Sequence, residues 1–318
     1  MKYAARRALH SLLLWIALSA LFFVFADLAP GDYFSELRLD ARVSSGTVAA
    51  MRAQSGAGRP LAVRYARWAA AAVRGDFGHS LAYDSPVAPL LWPRVRATLL
   101  LTGTATLLAW LLAVPLGVWA ATQRGTWRDG VLNAVLSLLL SVPDLLLAIV
   151  FLVFAVRSGL FPAGGMTSAA SSSMNPAEQA RDIARHLVLP VAVLVLGMLP
   201  VLARHVRASM LEVIDAPFAL AARAQGIGRR RLLFRHLLPA AMNPLISLFG
   251  VSLGTLLSAS LLVEVVMGWP GLGPLFLEAI MARDFPLAVA MFSAAFLMAG
   301  NLAADLLLCY FDPRIRTG

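Results

Sequence analysis

RHVRASMLEVIDAPFALAARAQGIGRRRLLFRHLLP, residues 204–239, separates two long apolar runs and is the most basic part of the chain. Seven arginines lie in it: Arg204, Arg207, Arg223, Arg229, Arg230, Arg231 and Arg235. The spacing predicts two short helices around a break. Asp215 is placed to N-cap the first, with Pro217 in its first turn, where a missing N–H costs nothing. Residues 219–225 are mostly good helix formers, and Gly226 fits the C′ position, where a left-handed residue ends a helix. A second helix is predicted from about Arg229 toward Pro239. A short helix held between apolar runs by capping and breaking residues is shaped to seat in a partner protein's groove. The loop reads as a transmission element.

Outward from it, composition sets the class. Of 318 residues, 59% are hydrophobic and only 14% charged, with mean hydropathy +0.76. Soluble domains are typically about 45–50% apolar and about 25% charged, so an all-α polytopic membrane protein is expected. Residues 1–29 carry basic residues and then an apolar run, which reads as an uncleaved first span because no clean A-x-A site follows. Five more spans are expected near 97–121, 131–156, 187–203, 240–264 and 286–311, making six, each near the roughly 17–25 residues that cross hydrocarbon. Residues 30–96 are mixed and polar, the one stretch large enough for a small extramembrane subdomain. In it GDFGHS, 75–80, predicts a tight turn, with Gly75 and Gly78 free to take unusual angles and Asp76 bonding its own backbone. The loop 157–186, with its GGMTSAASSSMNP, reads as flexible. The five-helix body is assigned to 97–318, with the loop 204–239 inside it.

Charge gives orientation. With the N-terminus inside, inner segments hold Lys2, Arg6, Arg7, Arg124, Arg128, the seven arginines above, Arg314 and Arg316. The short outer loops hold Arg157, Arg181, Arg185 and Arg283. The long segment 30–96 weighs little in this rule, and the bias puts both termini in the cytoplasm. The net charge of +10 is thus a topology signal, and nucleic acid is not expected as a partner. A lone Cys309 excludes an internal disulfide or cysteine cluster. Five histidines without ligand spacing give no metal site, and no nucleophile elbow or other catalytic set is present. Nothing matches GxxxxGK[ST], and Lys2 is the single lysine, so any ATP and its Mg must sit on another chain.

Several ordered motifs carry a family likeness. ARAQGIGRRRLLFRHLLPAAMNPLI, 222–246, resembles the EAA loop of ABC-importer permeases of the dipeptide, oligopeptide and nickel branch. LAPGDYF (28–34), GDFGHS (75–80), MLEVI (210–214), VEVVMGWPGLG (263–273), ARDFPL (282–287) and DPRIR (312–316) match the same branch in order. The resemblance implies a non-enzymatic permease in a bacterial inner membrane, with lipid around it. Implied partners are a second permease subunit, two ATPase subunits and an extracytoplasmic substrate-binding protein that meets residues 30–96. It places ATPase coupling on Asp215, Pro217, Phe218, Ala221, Ala222, Arg223 and Gly226. Leu220 stands beside Ala221 and Ala222 where the signature begins with Glu, so a Glu-mediated contact does not carry over.

Two acids are candidates for the pathway or gate. Asp144 falls mid-span after Pro143, where an ionisable group costs about 2.5–3.5 kcal/mol unless it meets water or a partner. It reads either as a pathway residue toward a cationic group or as a packed, hydrogen-bonded acid at a kink. Glu264 precedes Met267, Gly268 and Trp269, which by resemblance form an outer loop near the pathway mouth; a solvated helix end explains it equally. Trp269 suits the interfacial belt. Asp305, four residues after Asn301, reads as helix packing. Two further classes stay open: an ion-coupled transporter using Asp144 and Asp305, and a non-transporting membrane scaffold.

Overall fold

The computed structural model describes residues 44–282 apart from 56–58, 73 and 81, with isolated positions between 13 and 38. Most of the expected first span, of LAPGDYF and of ARDFPL, and all of the last span and DPRIR with Cys309, Asn301 and Asp305, lie outside the described residues.

Two short helices come first, α1 (Ser45–Ser55) and α2 (Leu61–Ala72). Tyr65 and Trp68 of α2 pack their rings against Phe23. The predicted turn follows. Gly75 and Gly78 have φ of 82° and 95°, and Asp76 Oδ1 accepts the Gly78 N–H at 2.9 Å. It leads into a two-residue antiparallel pair, β1 (His79–Ser80) with β2 (Ser85–Pro86).

The body is built on α3 (Val87–Thr122), 36 residues, and α6 (Pro176–Ile214), 39 residues. At 1.5 Å per residue each is over about 50 Å long, well beyond a hydrocarbon core of about 30 Å. The helix of the second span thus begins at Val87, inside what reads in sequence as the polar segment ending at 96. The fourth span, read as 187–203, is likewise only the middle of α6. Small residues explain how closely the two pack. Ala105, Ala109, Ala113 and Gly117 of α3 are buried along one face. A Cβ at Gly117 would come within 2.6 Å of Val206 Cβ and 2.7 Å of the Ala203 carbonyl. Close backbone approach of this kind is how helices associate where lipid removes the hydrophobic drive. Thr102 and Thr106 in the same seam return their hydroxyls to the carbonyls of Thr98 and Thr102, both at 2.7 Å, leaving no donor stranded. Because the C-terminal parts of both helices meet, α3 and α6 run in the same direction.

Between them runs α4 (Trp127–Leu140), then α5 (Asp144–Ser158). The sequence suggests one span over 131–156, but the chain turns by 89° at residues 141–143. Pro143 has no N–H and disfavours helical angles at the residue before it, so α4 ends at Leu140 and a new helix starts at Asp144. The loop after α5 is shorter than read: Asn175 and Glu178 form a reciprocal capping box and Pro176 takes the first helical position, starting α6 early. Ser168 N–H on Asp182 Oδ2, 2.7 Å, and Gly165 N–H on the Gly268 carbonyl, 3.2 Å, tie that loop down.

Beyond residue 214 come α7 (Pro217–Ala224), α8 (Arg229–Leu232), a π-turn at Leu233–Leu237 and α9 (Leu238–Val266). The second helix of the loop therefore does not end near Pro239 but continues into the fifth span. Antiparallel to α3, α9 is held by Trp110 Nε1–H on Ser252 Oγ at 3.0 Å and by Trp110 against Phe249. A ten-residue helix, α10 (Leu272–Met281), closes the far end. Its Leu272, Leu275 and Ala279 pack on Val87, Leu91 and Val95. Among the described residues three helices are long and apolar enough to cross a membrane, four if the bent pair counts as one span.

Candidate functional site

The loop between α6 and α9 projects from the end where α3 and α6 terminate. Its helix α7 starts one residue later than the sequence suggests. Ala216, with φ −69° and ψ 148°, is the N-cap, and Pro217 is the first helical residue. A proline excludes helical angles from the residue before it, so the extended position falls on Ala216. Asp215 remains the C-cap of α6 (φ −90°, ψ 0°) and caps nothing with its side chain. Its Oδ2 instead accepts from Arg124 Nη1 at 2.8 Å, with both side chains more than half exposed.

Gly226 ends α7 as read. Its φ is 76°, its N–H reaches the Arg223 carbonyl at 3.0 Å, and Ile227 N–H reaches Ala222 at 3.2 Å. Nothing lies within 4 Å of a Cβ built there, so it is the left-handed backbone, not crowding, that requires glycine. Ala219 and Ala222 face inward, while Phe218, Leu220, Ala221 and Arg223 face out. Phe218 and Leu220 are 46% and 55% exposed, an apolar surface on a helix of eight residues. Ser209 and Met210, just upstream, are buried in α6 and do not join that surface. Behind α7 a cavity of about 620 Å³ is lined by Thr122, Arg124, Ile214, Arg223, Arg229 and Leu233 among others.

Arg204 and Arg207 do not join this surface. Spaced three apart on α6, both reach across to α4. Arg207 grips Asp129 with two bonds, Nε to Oδ1 at 3.0 Å and Nη2 to Oδ2 at 2.7 Å. Asn133 Nδ2 adds a bond to Asp129 Oδ1 at 2.7 Å, and Arg204 Nη2 reaches Ser137 Oγ at 2.6 Å. The Asp129 and Arg207 side chains are 8% and 26% exposed. Removing one partner of this partly buried pair costs less than the about 3–5 kcal/mol of a fully buried one, but more than the exposed Arg124–Asp215 pair, worth about 0–1 kcal/mol. The sequence reading missed Asp129. Its signal was present: it is the single acid between residues 122 and 143, just ahead of an apolar run and beside two arginines.

Asp144 is the first residue of α5, just past the bend, and half-buried. Its carboxylate lies against Gly197 of α6, where a Cβ would run into it. Glu264 has quite different surroundings. It is fully buried, which overturns the solvated-helix-end reading. Oε2 accepts the Gly273 N–H at 2.7 Å, and its own carbonyl accepts the Trp269 N–H at 2.8 Å. A Cβ at Gly271 would collide with the carboxyl group. Trp269 is also fully buried, not interfacial, and donates Nε1–H to the Ala97 carbonyl at 3.0 Å. Leu272 N–H reaches Thr98 Oγ1 at 2.9 Å. Residues 264–273 thus form a corner wrapped around one carboxylate, pinned to the start of the second span.

Long apolar helices packed through small residues are the build of a polytopic membrane protein. The chain belongs to the family described as binding-protein-dependent transport system inner membrane components, which matches residues 113–317. It is a multi-pass permease subunit of that kind. Along nearly its whole length it is similar to the oligopeptide transport system permease protein AppB of Bacillus subtilis, 33% identical over 98% of both chains. It is likewise similar to the glutathione transport system permease protein GsiC of Salmonella paratyphi A, 31% identical over 99% of both. Its fold resembles a chain of the inward-facing MetNI methionine ABC transporter, with TM-score 0.58 and 21% identity over 70% of this chain and 96% of that one.

Proposed function

We propose that this chain forms part of the pathway of an ATP-driven importer for peptides, and that it receives its energy through α7. The relatives' names, oligopeptide and glutathione permeases, favour peptides and do not favour nickel. Partner chains supply the rest: a second permease, two ATPase subunits that hold ATP and Mg, and an extracytoplasmic binding protein that docks near residues 30–96. The arginine bias puts residues 204–239 and both termini on the cytoplasmic side, facing the ATPases. Asp144 lines the pathway, and the Glu264 corner forms its rigid outer rim.

The observation that carries this reading is the build of α7. Proline starts it, Gly226 ends it with a left-handed turn, and Phe218 and Leu220 face outward about half exposed. Eight residues set off in this way, at the tip of a 39-residue helix, suit a rod seated in another protein's groove. Gly226→Val tests it. A β-branched residue at φ 76° costs about 1–2 kcal/mol in backbone strain and re-aims the end of α7. In an assembled complex, substrate-stimulated ATPase activity and uptake should both fall. Wild-type levels of both would refute the coupling role.

A further inference from the structure

We propose that Asp129 and Arg207 are positioning residues for transport: their ion pair makes the bent segment α4–α5 move with α6, so that displacement of α7 reaches the pathway. The inference rests on the coupling reading above and adds the route by which the motion travels.

The geometry points to it in three ways. First, apart from Leu132 and Leu136 on the core, little else holds α4. Of its fourteen residues only Asp129 and Leu136 are buried, and Trp127, Val131, Val135, Leu138 and Leu140 are exposed. Second, the polar contacts are spaced as a strut. Arg204 and Arg207 lie about 4.5 Å apart along α6, yet their partners Ser137 and Asp129 lie about 12 Å apart along α4. The long arginine side chains span that difference, and a helix fixed to its support at two separated points follows it in rotation as well as translation. Third, the strut sits between the two ends that matter. Arg207 is seven residues before the end of α6, where α7 begins, and α4 leads through the 89° turn directly to Asp144. A bidentate guanidinium–carboxylate pair also resists rotation about a single bond, which a lone hydrogen bond does not.

The experiment uses the complete complex with its binding protein in proteoliposomes, measuring ATP hydrolysed and trialanine or glutathione taken up, whichever the wild type accumulates. Asp129→Asn and Arg207→Gln should still assemble with the ATPase subunits and hydrolyse ATP within about twofold of wild type, while uptake per ATP falls about tenfold. A merely structural defect lowers the amount of complex and leaves that ratio unchanged. The charge-swapped pair, Asp129→Arg with Arg207→Asp, should recover the ratio to within about threefold of wild type. A wild-type ratio in Asp129→Asn overturns the proposal. If the single variants do not assemble, the swap decides alone: recovery of assembly and ratio supports the pair, and failure on either count overturns it. These results are separable from failure of the coupling reading, which would appear as an unaffected Gly226→Val complex.

Discussion

Asp144 begins α5, where a carboxylate faces the positive end of the helix dipole, and Gly197 leaves room for it. If it lines the pathway, its charge acts on cationic cargo across a short gap. At an effective dielectric of about 20, unit charges 4 Å apart attract by about 4 kcal/mol. Asp144→Asn should therefore reduce uptake of a lysine-bearing peptide about tenfold or more relative to a neutral one. Equal effects on both peptides would mean that the residue only packs. At this scale the sequence is an uneven guide. Gly226 was legible because one physical property, tolerance of positive φ, decides its place. Asp215 was not, because the cap position depended on the proline two residues on. Glu264 and Trp269 looked like surface residues because a carboxylate and an indole are usually placed by polarity. Gly271 and Gly273, which let the backbone fold over them, were in view but gave no sign of what they cover.

Among the elements, the corner joining α9 to α10 is the sharpest case. One carboxylate, one indole N–H and one threonine hydroxyl meet backbone groups of two segments, α3 and the start of α10. Glu264→Gln keeps the shape and an acceptor for Gly273 N–H, and the complex should melt close to wild type. Glu264→Ala leaves a cavity and an unpaired buried donor, a loss of about 2–4 kcal/mol, read as a clearly lower melting temperature. An alanine variant as stable as wild type would show that the corner is held by its apolar contacts alone. Three of the six expected spans were readable from hydropathy, since α3, α6 and α9 each contain one of the apolar runs. Hydropathy is blind to direction, however, and the run across Pro143 conceals a right-angle turn. The early start of α6 was written in Asn175, Pro176 and Glu178, a capping box preceding the apolar stretch, and was hidden by the serine-rich loop before it.

At the largest scale the described residues form a parallel pair of long helices, α3 and α6, braced by α9, with a short capped rod at one end and a pinned corner at the other. The class and family were legible because ordered motifs run through the chain. The links between elements were not, because Asp129 and Arg207 are 78 residues apart and no local pattern joins them. A conduit driven through α7 by other subunits hydrolyses no ATP of its own. The most direct measurement compares ATP hydrolysis by the purified chain in proteoliposomes with that of the full complex plus binding protein and peptide. Background hydrolysis by the lone chain, and substrate-stimulated hydrolysis with uptake by the complex, is the predicted result; robust turnover by the lone chain would contradict it.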